Sequence, residues 1–343
     1  MFKVFRKNLR LASDSAAKVK RLGEVASKLS DKSKAQGEKI KAMQAAAAHN
    51  AQELAQITRS TENLQLLCGR IAANQIATLL PGTPFEKVEF KVFSQWGEDG
   101  IIQHLVQHLK LTNRSFVEFG VETYVEANTR FLLANDNWRG LVIDGSEDNI
   151  RTLQQTEFYW KHDLTAVASF ITPANINELL TRNKFSPRVG ILSVDIDGMD
   201  YWVLQAVTIQ ADILICEYNS IFGPSALVTV PPDDAFQRTQ AHHSNLFYGM
   251  SLAAAASLAK SKGYDLIGVN SAGNNAFFVN QDLDSPFQPV TPEQCFVAAK
   301  FRESRGADGG LTFLDFEDRQ NEIGDCAAYD LSANRVRPLR EIR

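Results

Sequence analysis

The sequence predicts an α/β protein in which a long helix precedes a domain built on a seven-stranded, mostly parallel sheet. Between about residues 15 and 80 there is no proline, and apolar residues recur at alternating spacings of three and four, as on a long helix. After Pro84 short apolar runs alternate with helical stretches, which is typical of repeated strand–helix–strand units. The last two apolar runs lie too close together for a crossover helix, so they predict an antiparallel hairpin.

Composition and length suggest an ordinary globular chain with more than one part. The 343 residues exceed one typical domain, and 44% are hydrophobic and 22% charged. We expect a helical arm over 1–80, a linker over 81–90, the sheet domain over 91–280 and a C-terminal extension over 281–343. No run is long and apolar enough to cross a bilayer, and the first residues lack the apolar core of a signal peptide, so we expect a cytoplasmic protein.

The cysteines and the charge distribution narrow the functional classes further. The four cysteines show no CxxC spacing, so reduced thiols are favoured over a zinc site or disulfides. Residues 1–41 carry twelve Lys/Arg and four Asp/Glu, a local charge of +8, whereas the remainder sums to −12. An acidic sheet domain repels phosphate backbones, which argues against a nucleic-acid partner.

The arm has a heptad seam. Its two sets of positions are Val19, Ala26, Ser33, Ile40, Ala47, Leu54, Thr61, Cys68 and Leu22, Leu29, Gln36, Met43, Asn50, Ile57, Leu64, Ile71. The narrow apolar stripe favours homo-oligomerisation through a coiled coil, in which a buried Asn50 fixes register. The alternative is a helix packed on its own domain.

The arm begins with a basic, partly apolar stretch over residues 2–11. Its lysines and arginines alternate with bulky apolar side chains, so it is suited to an anionic membrane surface or to a partner in a biosynthetic complex. A run of this kind is usually only a solvated basic helix face. Peripheral contact with the inner face of the membrane is the alternative.

The predicted strands of the sheet domain are seven short apolar runs. They cover 116–120, 140–144, 157–162, 189–195, 212–218, 264–269 and 275–280. Four acidic residues stand at or near the ends of four different runs: Glu118, Asp144, Asp195 and Glu217. Because open α/β sheets bind ligands beyond the carboxyl ends of their strands, one crevice gathers these carboxylates.

The loops at these strand ends indicate which ligand the crevice takes. Asp144 follows the second strand, where a carboxylate accepts ribose hydroxyls. The first loop, 118–123, lacks the G-x-G-x-x-G pattern that a pyrophosphate needs, and its carboxylates repel phosphate. S-Adenosylmethionine has no phosphate and carries a sulfonium and an ammonium, so it fits better than a nicotinamide cofactor.

A second group of acidic residues predicts a metal ion or a base. Asp195, Glu217 and Asn219 offer the oxygen ligands that Mg²⁺ prefers, and Asp197 is placed to take a proton from a substrate hydroxyl. The alternative is that these side chains cap the next helix. His243 is a second candidate base, although an exposed loop histidine is an equal alternative.

Four segments in their order resemble the FkbM-like family of S-adenosylmethionine-dependent O-methyltransferases. They are 94–100 (SQWGEDG), 116–120 (FVEFG), 192–198 (LSVDIDG) and 273–279 (GNNAFFV). The resemblance spans about residues 90–280. It implies a Rossmann-like class I methyltransferase sheet, in which Glu118 and Gly120 surround the methionine part of the cofactor and Asp144 takes the ribose.

The chain departs from the family at the fourth strand. Ser193 replaces the lysine and Asp197 the glutamate of a K-I-D-x-E-G pattern, which affects the substrate step more than cofactor binding. Gln95 is expected near the cofactor, and Asp163, after the run assigned as third strand, near the adenine amino group.

The resemblance implies transfer of a methyl group to a hydroxyl of a saccharide or glycan. A non-catalytic Rossmann-like assembly module carried on a coiled-coil stalk is the alternative.

Overall fold

A computed structural model describes residues 1–342 of the chain. The helices are α1 (Phe2–Ile76), α2 (Glu98–Leu109), α3 (Arg130–Asp136), α4 (Glu147–Gln154), α5 (Glu157–Lys161), α6 (Ile176–Arg182), α7 (Asp200–Ala206), α8 (Arg238–Ala241), α9 (Leu252–Ser261), α10 (Pro292–Cys295) and α11 (Phe316–Glu322). The strands are β1 (Ser115–Phe119), β2 (Arg139–Asp144), β3 (Leu164–Ala168), β4 (Arg188–Val194), β5 (Gln210–Glu217), β6 (Val228–Thr229), β7 (Tyr264–Val269), β8 (Asn275–Asn280), β9 (Ala327–Asp330) and β10 (Arg335–Pro338). Short 3₁₀ helices lie at Phe85–Lys87, Ser220–Phe222 and Leu339–Glu341.

The central sheet has seven strands in the order β3-β2-β1-β4-β5-β8-β7. The first five are parallel, and β8 runs antiparallel to both β5 and β7. The predicted α/β fold and its antiparallel hairpin are therefore confirmed. The reversal of strand order between β1 and β4 places a crevice at the carboxyl edge of the sheet.

Apolar layers cover both faces of this sheet. Along β1, Phe116 packs into one layer, with α2, α3 and α4, whereas Val117 and Phe119 pack into the other, with α6, α7 and α9. Full burial of each such side chain stabilises the fold by about 1.5–3 kcal/mol. A sheet fixed on both faces holds its strand ends rigidly, as a binding crevice requires.

The predicted third strand, 157–162, is wrong. These residues form the short helix α5, because the side chain of Thr156 accepts a hydrogen bond from the backbone N–H of Tyr159 at 3.2 Å and caps the first turn. The third strand is Leu164–Ala168, in which Leu164 and Ala166 are buried while their neighbours are partly exposed. Aromatic residues of α5 suggested a strand by composition, whereas the alternation lies further along the chain.

The arm forms one continuous helix whose first part is a unit by itself. Residues Met1–Leu64 make up one compact unit and Gln65–Arg343 the other. Within the first unit the large apolar residues of the seam are exposed, for example Leu54 at 65% and Ile57 at 62%. No helix within residues 1–342 is both long and apolar enough to span a membrane.

The expected boundaries at 80, 90 and 280 differ from this division. The last turns of α1 belong to the second unit, because Gly69, Ala73 and Ile76 are buried there. The expected linker contains Val88, which is fully buried in the core. The expected extension also lies in the second unit, where β9 and β10 form a three-stranded sheet with β6.

Candidate functional site

Two adjoining cavities of about 370 Å³ and 200 Å³ open at the carboxyl edge of the sheet. Gly120, Glu122, Asp195, Asp197 and Arg238 line both. The first, the nucleotide compartment, continues along Ile143, Asp144, Gly145, Ser169, Phe170, Ile171, Ile196, Met199, Phe236, Gln237 and Thr239. The second, the acidic compartment, continues along Gln95, Glu118, Phe119, Val121, Glu126, Ala127, Asn128, Glu217 and Asn275.

Gly120 allows the two central strands to approach each other at the floor of the crevice. Its backbone has a φ of +72°, and a Cβ there would lie 1.7 Å from the carbonyl oxygen of Asp195. Any side chain at this position forces the loops after β1 and β4 apart. Glycine at this position therefore allows the backbones of the two loops to pack closely beside the cavity.

Glu118 holds the loop that follows Gly120. One carboxylate oxygen accepts from the backbone N–H of Asn128 at 2.8 Å, and the other accepts from the backbone N–H and the hydroxyl of Thr129. Burial raises the pKa of Glu118 to about 7, although these hydrogen bonds oppose the shift. Glu118 borders the acidic compartment, and its contacts position the start of α3.

Asp144 has most of its acceptor capacity filled by the protein. Its Oδ2 accepts from the backbone N–H of Glu122 at 2.7 Å, and its Oδ1 accepts from the N–H of Ser146 at 2.8 Å and from Asn149 Nδ2 at 3.2 Å. A carboxylate offers about four acceptor sites. One site on Oδ2 therefore remains, enough for a single ligand hydroxyl rather than for two.

The predicted role of Asp163 near adenine does not fit its position. Asp163 precedes β3, so it lies at the amino edge of the sheet, opposite the crevice, and its exposed carboxylate lies 3.9 Å from Nε of Arg139. The error follows from the misplaced third strand. The crevice-facing residues after β3 are Ser169 and Phe170, whose ring is 50% exposed.

Three carboxylates converge in the acidic compartment. One oxygen from each of Asp195, Asp197 and Glu217 lies within 4.8 Å of the others. Burial raises the pKa of Asp195 and of Glu217 well above the usual range, and the neighbouring carboxylates raise both further. Oε2 of Glu217 is buried without a hydrogen-bond partner. Such a cluster suits either a shared proton or a divalent cation.

Arg238 is the cation that faces this cluster. Its Nη1 donates to Oδ1 of Asp197 at 2.5 Å, its Nε donates to the carbonyl of Asn245 at 2.8 Å, and its guanidinium lies over the ring of Tyr248. Asp197 lies in the loop after β4 and has a positive φ of 55°. Arg238 was not predicted, because α8 lies in an irregular segment without an apolar period.

Two predicted residues do not join the cluster. The amide of Asn219 donates to the carbonyls of Leu246 and Tyr248 and accepts from Ile221, so it is used within the fold rather than as a metal ligand. Asp197 takes the third position that was expected for Asn219. His243 does not line either compartment, and its Nε2 lies 2.9 Å from Oε1 of Glu322 in the C-terminal region, which argues against a role as base.

Gln95 lines the acidic compartment, while its neighbours are structural. Oδ2 of Asp99 accepts from the backbone N–H groups of residues 92–94, and Glu98 accepts from Asn270 and Asn275. Asn275 also reaches the compartment, because β8 is antiparallel and its first residue pairs with Glu217 at the same edge. The predicted hairpin direction was a signal from which this residue could have been found.

No protein-family model and no curated protein matches the chain. Among solved structures, the chain is similar to the N-terminal domain of EvdMO1 with SAH bound, at 10% identity and a TM-score of 0.36, over 62% of this chain and 93% of that one. An S-adenosylmethionine-dependent methyltransferase from Clostridium acetobutylicum has 11% identity and a TM-score of 0.36, over 62% of this chain and 99% of that one. An O-methyltransferase from Bacillus cereus in complex with SAH has 14% identity and a TM-score of 0.35, over 62% of this chain and 88% of that one. At these identities and scores, the choice of ligand depends on the residues of the crevice.

Proposed function

We propose that the chain is an S-adenosylmethionine-dependent O-methyltransferase that acts on a hydroxyl of a saccharide or glycan. The observation that carries the proposal is the two-compartment crevice. Asp144, a carboxylate placed to accept from a ribose hydroxyl, lies in the nucleotide compartment, and the carboxylate cluster lies in the acidic compartment. The two compartments meet at Gly120 and Asp195. A cofactor in the first compartment would present its methyl group to an acceptor in the second. Membership of the FkbM-like family is part of this proposal and depends on the four sequence segments alone.

The nucleotide compartment suits adenosine without phosphate. Asp144 retains one acceptor site for a ribose hydroxyl, and the exposed ring of Phe170 offers an apolar surface to a purine. Among the described lining residues Arg238 is the one cation, and it is paired with Asp197. A pyrophosphate would therefore meet carboxylates, whereas a sulfonium would be attracted by them.

The acidic compartment suits a polar, hydroxyl-rich acceptor. Gln95, Asn128 and Asn275 supply amide groups there. Next to Gln95, the side chain of Trp96 is 42% exposed and is stacked on Phe301 with ring centroids 5.7 Å apart. Trp96 does not itself line the compartment, but a partly exposed aromatic ring next to Gln95 in the chain is the kind of group that contacts the C–H face of a sugar.

The carboxylate cluster provides the proton acceptor. As the acceptor oxygen forms its bond to the methyl carbon, the carbon–sulfur bond breaks and the sulfur leaves as a neutral thioether. The hydroxyl proton passes to Asp197, the most exposed member of the cluster. Its ion pair with Arg238 holds this carboxylate in place beside the cluster.

A divalent cation fits the same cluster. Asp195, Asp197 and Glu217 would hold it, and the unpartnered Oε2 of Glu217 is the acceptor that a cation would satisfy. Bound Mg²⁺ would supply Lewis acidity toward the acceptor hydroxyl. The side chains alone still bind, orient and deprotonate that hydroxyl.

Calorimetry with S-adenosylhomocysteine tests the cofactor. We expect one site per chain, and at least about tenfold weaker binding in Asp144→Ala because the ribose contact is lost. Asp148→Ala is the matched control, since Asp148 is exposed beside the same loop and pairs with Arg151. No binding to the intact protein would refute the methyltransferase proposal.

Transfer of labelled methyl groups to saccharides tests the acceptor. Incorporation that depends on Asp197 supports the enzyme. Cofactor binding without transfer to any glycan favours the second candidate, a non-catalytic assembly module, for which the exposed seam of the arm is the specific observation. Self-association through that seam, a cytoplasmic location, and contact of the basic residues 2–11 with a membrane or a biosynthetic complex belong to our proposal in either case.

A further inference from the structure

A second group of metal-ligating side chains lies outside the crevice, between the loop after α8 and the end of α11. His242, His243 and Glu322 each place one ligand atom within 4.8 Å of the others. His243 Nε2 lies 2.9 Å from Glu322 Oε1, and the two imidazole ring centroids lie 4.2 Å apart. The ligand set is drawn from two distant parts of the sequence, which the fold brings together.

The surroundings of this cluster hold its rings in place. Nδ1 of His242 lies 2.7 Å from the hydroxyl of Ser244, the kind of outer contact that orients a ligating imidazole. Ser244 itself is fully buried, and its hydroxyl also lies within hydrogen-bond distance of the backbone N–H of Leu246. One histidine is therefore anchored to a buried group, while His243 and Glu322 remain accessible to a solvent ion.

The ligand chemistry differs from that of the carboxylate cluster. Two imidazoles and one carboxylate are preferred by Zn²⁺ and similar transition metals, whereas oxygen-only ligands are preferred by Mg²⁺. We propose that His242, His243 and Glu322 form a zinc site that fastens the loop after α8 to the C-terminal region. The fourth position would be taken by water.

This site has a physical connection to the crevice. Arg238 lies four residues before His242, and it pairs with Asp197 of the carboxylate cluster. The same guanidinium donates to the carbonyl of Asn245, two residues after His243. A cation bound by His242 and His243 would thus fix the middle of the segment between Arg238 and Asn245. Through Glu322, the C-terminal region would contribute to the position of Arg238.

Calorimetric titration of the full-length, chelator-treated protein with zinc chloride tests the proposal, together with Co²⁺ absorption as a report of nitrogen ligation. We expect one zinc per chain, and affinity at least about tenfold weaker in His243→Ala and in Glu322→Gln. His49→Ala is the matched control, because His49 is an exposed histidine that likewise pairs with a glutamate, Glu53. Its affinity should equal that of the unaltered chain.

Three outcomes would overturn the site. They are absence of zinc binding, unchanged affinity in both His243→Ala and Glu322→Gln, and loss of zinc binding in Glu217→Gln, which would place the ion in the carboxylate cluster. Thermal unfolding without metal verifies that each variant folds. If His243→Ala does not fold, Glu322→Gln decides, since it keeps the size of the side chain. The test does not depend on methyl transfer, so it stands or fails separately from the proposed function.

Discussion

At the scale of single residues, Gly120 is the position where geometry leaves least freedom. A Cβ there collides with the carbonyl of Asp195, and the positive φ strains any other residue. We expect Gly120→Ala to lower the free energy of unfolding by about 2 kcal/mol or more and to weaken cofactor binding. Urea denaturation and calorimetry measure the two effects.

The control for this substitution lies in the arm. Gly23 is helical, with nothing within 4 Å of its Cβ position. Gly23→Ala should therefore leave cofactor binding unchanged and stabilise the helix by up to about 1 kcal/mol. If Gly120→Ala has the stability and the cofactor affinity of the unaltered protein, the prediction is wrong, because the loops after β1 and β4 would then separate without loss of free energy.

Glu217 decides whether the acidic compartment binds a cation. Burial and the neighbouring carboxylates raise its pKa and that of Asp195, so protons compete with Mg²⁺. Calorimetry should show Mg²⁺ affinity rising with pH, because ligation requires both groups to be ionised. Glu217→Gln should abolish binding, whereas Glu126→Gln, an exposed carboxylate lining the same compartment, should not. Equal affinities in the two variants would exclude this metal site.

At the scale of elements, the sequence located most of the sheet because parallel strands buried on both faces are short apolar runs. The third strand was misplaced because Phe158, Tyr159 and Trp160 have strand-forming composition, although Thr156 starts a helix there. That single error also moved the adenine-side prediction to Asp163 and away from Phe170. An error in one element thus became an error in the site.

The acidic strand ends were predictable, and the residues that complete them were not. Asp144, Asp195 and Glu217 follow apolar runs, so their place at one edge follows from the parallel arrangement. Arg238, which completes the cluster, lies in an irregular segment where spacing gives no direction for a side chain, and so does His243, which lies outside the crevice. Tertiary contacts direct Arg238 to Asp197 and His243 to Glu322.

At the scale of the whole molecule, buried carboxylates make stability depend on pH. Burial raises the pKa of Glu118 to about 7 and those of Asp99 and Asp200 to about 6. Since the folded state holds these protons more tightly than the unfolded state, their contribution is complete below about pH 4 and is lost as pH rises to about 7. Unfolding free energy from urea denaturation should therefore fall across that range.

Glu118→Gln separates one group from the sum. In this variant the unfolding free energy should fall less steeply between about pH 4.5 and 7, because one titrating group is gone. The change in slope is at most about 1.4 kcal/mol per pH unit. Asp148→Asn, at an exposed carboxylate, should reproduce the slope of the unaltered protein. Stability that rises with pH over this interval would contradict the assignment of these buried groups.

The arm is the part of the molecule whose apolar surface has no partner within its own unit. Residues 2–61 of α1 are exposed, including every large apolar residue of the seam in that stretch. Because burial of each such side chain would contribute about 1.5–3 kcal/mol, we propose that a second copy of the helix covers this surface. We expect light scattering to give the mass of an oligomer, and the mass of one chain for Ile57→Lys with Leu64→Lys. The control variant, Gln52→Lys with Gln56→Lys, adds the same charge outside the seam and should remain oligomeric. If the unaltered protein has the mass of a single chain, the coiled-coil proposal is rejected.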